Sequence, residues 1–177
     1  DGAPVTADVA IPYLYLSEVD ISDFDSQCHL IPPLRTVEDR QQLRDAVRQG
    51  TLSAICSDHQ PHEPDAKLGP FPATEPGISG LDSLLPLCLR LVDEQSIDLT
   101  ELIHRLTAGP ARILGLPYGT LSVDAIADIC IFDPSASWLL DSSSVRSNGL
   151  NTPFMGWEMK GRVTHTLLAG KLVYTLS

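Results

Sequence analysis

At 177 residues and a formal net charge of −11 at pH 7, the chain is long enough for one domain with a sizeable core. The acidic balance argues against nucleic-acid phosphate as a ligand and for a soluble, self-repelling surface. No signal peptide is visible and no apolar run approaches the roughly 18 residues of a membrane span, so a cytoplasmic protein with no membrane partner is expected.

The opening Asp1-Gly2-Ala3-Pro4 reads like an interior loop. Val5 to Leu16 is apolar with high β propensity and predicts one strand followed by a loop. His29 to Arg35 is a short apolar segment stopped by Pro32 and Pro33, which cannot continue a central strand. Thr36 and Asp39 have capping-box spacing, Leu43, Ala46 and Val47 form an apolar stripe, and Gly50 closes the helix. Leu52 to Cys56 reads as the next strand. Strand, proline turn, helix and strand give a βαβ rhythm, which favours a parallel sheet.

A Pro- and Gly-rich loop spans His62 to Gly80. Leu81 to Val92 is apolar almost all round, as in a buried helix, with Pro86 as a possible kink. Asp98 or Thr100 starts a helix running to Thr107, and Pro110 suits the first turn of another that ends near Gly115. After Leu116 the character changes. Ile126 to Phe132 is a β run, Asp133-Pro134 turns it, and Ser137 to Leu140 continues extended. Asp141 to Ser144 is a polar loop. Gly161–Leu168 and Lys171–Tyr174 form a hairpin around Ala169-Gly170. The fold class is therefore α/β over 1–116 with a small all-β unit over 117–177. Cys28, Cys56, Cys88 and Cys130 lack metal-site spacing and read as buried, reduced thiols.

Ser57-Asp58-His59-Gln60-Pro61-His62 is the richest stretch chemically. It puts an acid and two histidines where a strand opens into a loop, the end of a parallel strand at which catalytic groups collect.

Ile55 to His62, followed by Gly77-Ile78-Ser79-Gly80-Leu81, resembles the dihydroorotases of the amidohydrolase superfamily. Their last barrel strand carries Asp-His-Ala-Pro-His before a Gly-Ile-x-Gly-Leu segment. Pro32-Pro33-Leu34-Arg35, Ala127-Asp128-Ile129 and Asn151-Thr152-Pro153-Phe154 resemble further family segments in the same order. The resemblance implies the last three strands of a (β/α)8 TIM barrel plus a C-terminal β appendage, with the N-terminal half of the barrel absent from this chain. A whole barrel takes about 250 residues.

The resemblance also implies roles. Asp58 matches the metal-binding, proton-shuttling Asp. His62 matches the His that contacts the substrate carboxylate, and Arg35 is a remnant substrate contact or a surface partner of Asp39 or Glu38. The role of His59 stays open. Two departures stand against catalysis. Family members read Val-Thr-Pro-His-His-Leu where this chain reads Val9-Ala10-Ile11-Pro12-Tyr13-Leu14, so the metal-ligand position falls on Pro12 and Tyr13. Shifting the match to recruit His29 fails, because His29 is expected on the next strand. The substrate-binding Asn before Pro-Pro is Ile31. On the plainer reading, Asp58 and His62 form an inherited network, with Asp58 held by loop amides.

The expectation is a non-catalytic dihydroorotase-like protein of pyrimidine biosynthesis that binds no cofactor. Such family members associate with aspartate carbamoyltransferase. That enzyme, the rest of the barrel and an oligomeric assembly are the expected partners, and Leu139 to Leu150 is one candidate contact face. The alternative is an active dihydroorotase that uses zinc to hydrolyse the cyclic amide of dihydroorotate. A hydantoinase- or allantoinase-like relative acting on another ring is a third possibility.

Overall fold

The computed structural model describes residues 5–176. The Asp1–Pro4 segment read above as a loop lies outside them. Strand β1 (Asp8–Ala10) pairs in parallel with β2 (Ala54–Cys56), Val9 opposite Ile55. The strand is shorter than the Val5–Leu16 run suggested. At Ile11 the chain turns into a tight 3-10 turn, Ile11–Leu14, with Pro12 in its first turn. Proline fixes φ at a helical value and offers no N–H to a sheet.

Between the two strands lies helix α1 (Val37–Gln49), with the predicted ends. The Thr36 hydroxyl accepts from the Asp39 N–H, the Asp39 carboxylate takes the Thr36 N–H, and Gly50 closes the helix at φ 84°. That angle suits glycine because it has no Cβ to clash. Helix α2 (Leu81–Asp93) runs unbroken through Pro86, and α3 (Leu99–Leu106) is capped by Asp98. A short α4 (Ala108–Ile113) follows.

The third barrel strand expected from the family match does not form among the described residues. The His29–Arg35 segment is loop, so His29 does not lie on a strand as expected. Pro32 and Pro33 remove two consecutive donors, and the His29 carbonyl is taken sideways by the Gly77 N–H at 2.8 Å. Parallel pairing resumes only as a single bridge between His59 and Ile78.

The C-terminal region is a three-stranded antiparallel sheet in the order β3 (Ile129–Leu139), β4 (Glu158–Leu168), β5 (Lys171–Thr175). Asp133-Pro134 does not turn the chain. It forms a bulge, with Asp133 opposite Arg162 and Ser137 opposite Lys160, so β3 is one strand. Two residues are extruded because Pro134 cannot donate to the ladder. Leu140, Phe154 and Met159 join the same apolar cluster as Ile11, Leu14, Ile55, Leu87 and Leu91, and α2 packs against β4 of the sheet, against α3 and against the Ile11–Leu14 turn.

All four cysteines are free thiols, but they are not uniformly buried. Cys28 and Cys88 are buried, Cys56 is partly covered, and Cys130 is exposed on β3. No helix among the described residues is long and apolar enough to cross a membrane.

The surface carries an apolar run that one protein domain rarely leaves open: Leu114, Leu121 and Val123 are 69%, 82% and 93% exposed. With the short parallel pair open at its edges, this predicts that residues 1–177 alone self-associate. Sedimentation velocity would show species larger than a monomer, whereas a monomer that melts cooperatively contradicts the expectation.

Candidate functional site

The loop after β2 holds the residues singled out above, and Asp58, His59 and His62 each make hydrogen bonds within the chain. Asp58 has φ 45°, a left-handed value uncommon for a side chain larger than glycine. Its carboxylate is held by a side-chain amide, not by the loop amides expected: Gln60 Nε2 donates to Asp58 Oδ1 at 3.0 Å. Gln60 occupies the position that is Ala in the family motif, a departure visible in the sequence.

Tyr13 lies close enough to Asp58 to feel its charge. Its hydroxyl donates to the Pro32 carbonyl at 2.6 Å. Partial burial, and then the Asp58 charge, push its phenol up to about 12. Pro12 is fully buried, and its carbonyl accepts from the Tyr15 and Leu16 N–H groups at 3.1 and 2.8 Å. The position that would carry a ligand is thus filled by a buried ring and a neutral phenol.

His59 has a structural task. Its Nδ1 accepts from the N–H groups of Gly80 and Leu81 at 3.1 and 3.3 Å, so it caps the start of α2. An imidazole that accepts at Nδ1 carries its proton on Nε2 and has no lone pair left for a metal. His62 Nε2 lies 3.0 Å from the Pro76 carbonyl, which can only accept, so this nitrogen also bears the proton. Arg35 is turned to the surface, where it pairs with Asp39 at 3.8 Å with side chains 72% and 51% exposed. Ile31 is exposed and brings no polar atom to the site.

Sequence reasoning missed the groups that hold this loop in place. Asn151, 4% exposed, donates from Nδ2 to the carbonyls of Gln60 and Gly77 at 2.9 and 3.0 Å, and its Oδ1 accepts the His62 N–H at 2.8 Å. Lys67, 6% exposed, donates from Nζ to the Glu75 and Gly77 carbonyls at 2.6 and 2.9 Å, and desolvation lowers its pKa. Gly77 completes the staple. At φ 126°, a Cβ there would come within 2.5 Å of the Gln60 Cβ.

A catalytic zinc needs about three protein ligands with free lone pairs converging at about 2.0–2.2 Å. Among the described residues, no group of three or more His, Cys, Asp or Glu side chains could hold a metal. What this chain offers is one carboxylate with one oxygen engaged, beside a tied-off phenol. The described residues by themselves therefore do not make up such a site.

Residues 14–173 match the amidohydrolase family model. The chain belongs to the amidohydrolase family. Within it, the chain is similar to dihydroorotases and their relatives. It is 50% identical over 173 residues to a dihydroorotase-like protein of Pseudomonas aeruginosa, and 48% identical to one of Pseudomonas putida. It is 44% identical to a dihydroorotase of Syntrophotalea carbinolica. In each case about 98–99% of this chain covers 41% of the relative, so the chain spans about two-fifths of the length of these amidohydrolases. Among solved structures, an L-hydantoinase from Arthrobacter aurescens superposes with a TM-score of 0.88 at 26% identity, over 98% of this chain and 41% of that one. A D-hydantoinase does so with a TM-score of 0.85 at 27% identity, over 96% and 39%. These matches make the parallel pair and its helices part of an amidohydrolase barrel.

The committed Tyr13 phenol predicts a pH effect. In the unfolded chain a tyrosine ionises near 10, and in the fold Tyr13 does so at about 12. Its contribution to stability is therefore complete below pH 10 and is lost as pH rises from 10 to 12. Tyr13→Phe in the full-length protein should reduce that loss in urea unfolding between pH 9 and 12. An unchanged slope would mean that Tyr13 is not held this way.

Proposed function

We propose that this chain is part of a non-catalytic dihydroorotase-like protein of pyrimidine biosynthesis, retained as an assembly partner of aspartate carbamoyltransferase. The observation that carries the reading is the occupation of the strand-end site from within. Gln60 holds Asp58, Tyr13 is bound to Pro32 beside it, and both histidine rings serve the backbone. Metal-dependent amide hydrolysis needs a carboxylate free to receive the proton of a metal-bound water, and ligands free to hold the metal. The two relatives named dihydroorotase-like, at 50% and 48% identity, also support it.

In this reading the protein's work is done by surface and not by chemistry. What the chain keeps of the family is packing: Gly77 to Leu81 around the His59 cap, and Asn151 to Trp157 around the buried Phe154. The preceding residues of the parent protein complete the barrel, and the assembly is cytoplasmic, oligomeric and free of bound zinc. The competing reading, an active zinc dihydroorotase, draws on the retained Asp58 and on the 44% identity to a protein named dihydroorotase.

Two measurements on the full-length protein separate them. Mixed with aspartate carbamoyltransferase, it should shift the transferase to a larger species in sedimentation velocity, and carbamoyl-aspartate cyclisation should stay at background. Unchanged sedimentation of both proteins, or a turnover abolished by Asp58→Ala, would overturn the proposal.

A further inference from the structure

Four arginines of this chain stack on aromatic rings. Arg44 lies over Tyr15, Arg90 over Trp157, Arg146 over Tyr174 and Arg162 over Trp138, at 5.1, 5.3, 5.6 and 5.3 Å from the ring centres. Stacking uses the face of a guanidinium and leaves its in-plane N–H donors for another partner. In two of the four those donors are used: Arg44 pairs with Glu94, and Arg90 donates to the Glu158 carbonyl at 2.9 Å. The side chains of Arg146 and Arg162 make no hydrogen bond and no ion pair with any described residue. Every other arginine of the chain reaches an acceptor.

The two unpaired guanidinium groups are not scattered. Both line one cavity of about 230 Å3 between α2 and the antiparallel sheet, together with Trp138, Tyr174, Leu85 and Pro86. The indole of Trp138 is fixed by its Nε1–H to the Gly161 carbonyl at 3.0 Å. Asp82 also lines the cavity, but its two oxygens are taken by the main-chain N–H groups of Arg146 and Ser147 at 3.0 and 3.2 Å. In a chain with 23 acids and 12 Lys and Arg residues, two arginines without an acidic partner lining one cavity are unexpected unless an anion joins them.

We infer that this cavity is a binding site for a small organic anion, with an oxyanion group held by Arg146 and Arg162 and a flat ring lodged against Trp138 and the Leu85–Pro86 wall. Planar guanidinium groups match the two oxygens of a carboxylate or phosphate. The volume is below that of a pocket for a drug-sized ligand, which limits the body to about one ring. The site is formed by α2 and the C-terminal sheet and uses none of the residues around Asp58.

Isothermal titration of the full-length protein tests this with three probes: phenyl phosphate, benzoate and inorganic phosphate. Saturable binding of phenyl phosphate or benzoate is expected, and comparison of the two tells which oxyanion the guanidinium pair favours. Arg146→Gln and Arg162→Gln should each raise the dissociation constant about tenfold, the equivalent of losing one charge-assisted contact. Arg162→Lys, which keeps the charge and the fold but loses the planar fork, should also weaken binding. Circular dichroism of each variant checks that it is folded. No saturable binding of either ring-bearing probe up to about 10 mM would overturn the inference. So would affinities unchanged in the folded variants, or inorganic phosphate binding as tightly as phenyl phosphate.

Discussion

A metal is held by lone pairs that nothing else has claimed, and around Asp58 two are claimed internally: Asp58 Oδ1 by the Gln60 amide and His59 Nδ1 by the Gly80 and Leu81 N–H groups. The Gln60 amide to Asp58 Oδ1 bond, at 3.0 Å, is the contact from which the rest of the site follows. It ties the carboxylate down within its own loop. That loop is fastened in turn by Asn151, which spans the Gln60 carbonyl, the Gly77 carbonyl and the His62 N–H. A buried amide with its donors and acceptor all satisfied is expensive to disturb, since removing one partner leaves the others unpaired in a dry interior. The loop is thus held closed by the C-terminal part of the same chain.

The same residues explain why the barrel fragment and the sheet are packed as one body. α2 begins under the His59 cap and buries Leu87, Cys88 and Leu91. Its far side meets β4, where Gly161 at φ 92° lets the sheet approach Leu89. A side chain at that position would be strained in its backbone and would strike Leu89. Local loop geometry, helix start and sheet docking are therefore linked through one helix.

Much of this was legible in the sequence. The ends of α1 were readable because Thr36, Asp39 and Gly50 each solve a local hydrogen-bonding or φ problem. The strand-end position of Asp58 and the hairpin at Ala169-Gly170 were readable for similar local reasons. What failed depended on distant partners. His29 to Arg35 looked like a strand, but its carbonyls are taken by Gly77 and by the Tyr13 hydroxyl. Asp133-Pro134 looked like a turn, but pairing with β4 on both sides carries the strand through as a bulge. At the site, Pro12, Tyr13 and Ile31 were visible departures. The Gln60 substitution was equally visible, but its meaning came only from seeing which carboxylate its amide reaches. Asn151 and Lys67 could not be found from spacing, because their partners are main-chain carbonyls, which carry no sequence signature.

The central proposal is that the strand-end site has exchanged metal ligation for internal hydrogen bonding. The most direct test is the zinc content of the full-length protein, loaded with excess zinc, dialysed and measured by elemental analysis. The account predicts well under one zinc per chain, with no further loss in Asp58→Ala. One zinc per chain that is retained through dialysis and lost in Asp58→Ala would contradict it.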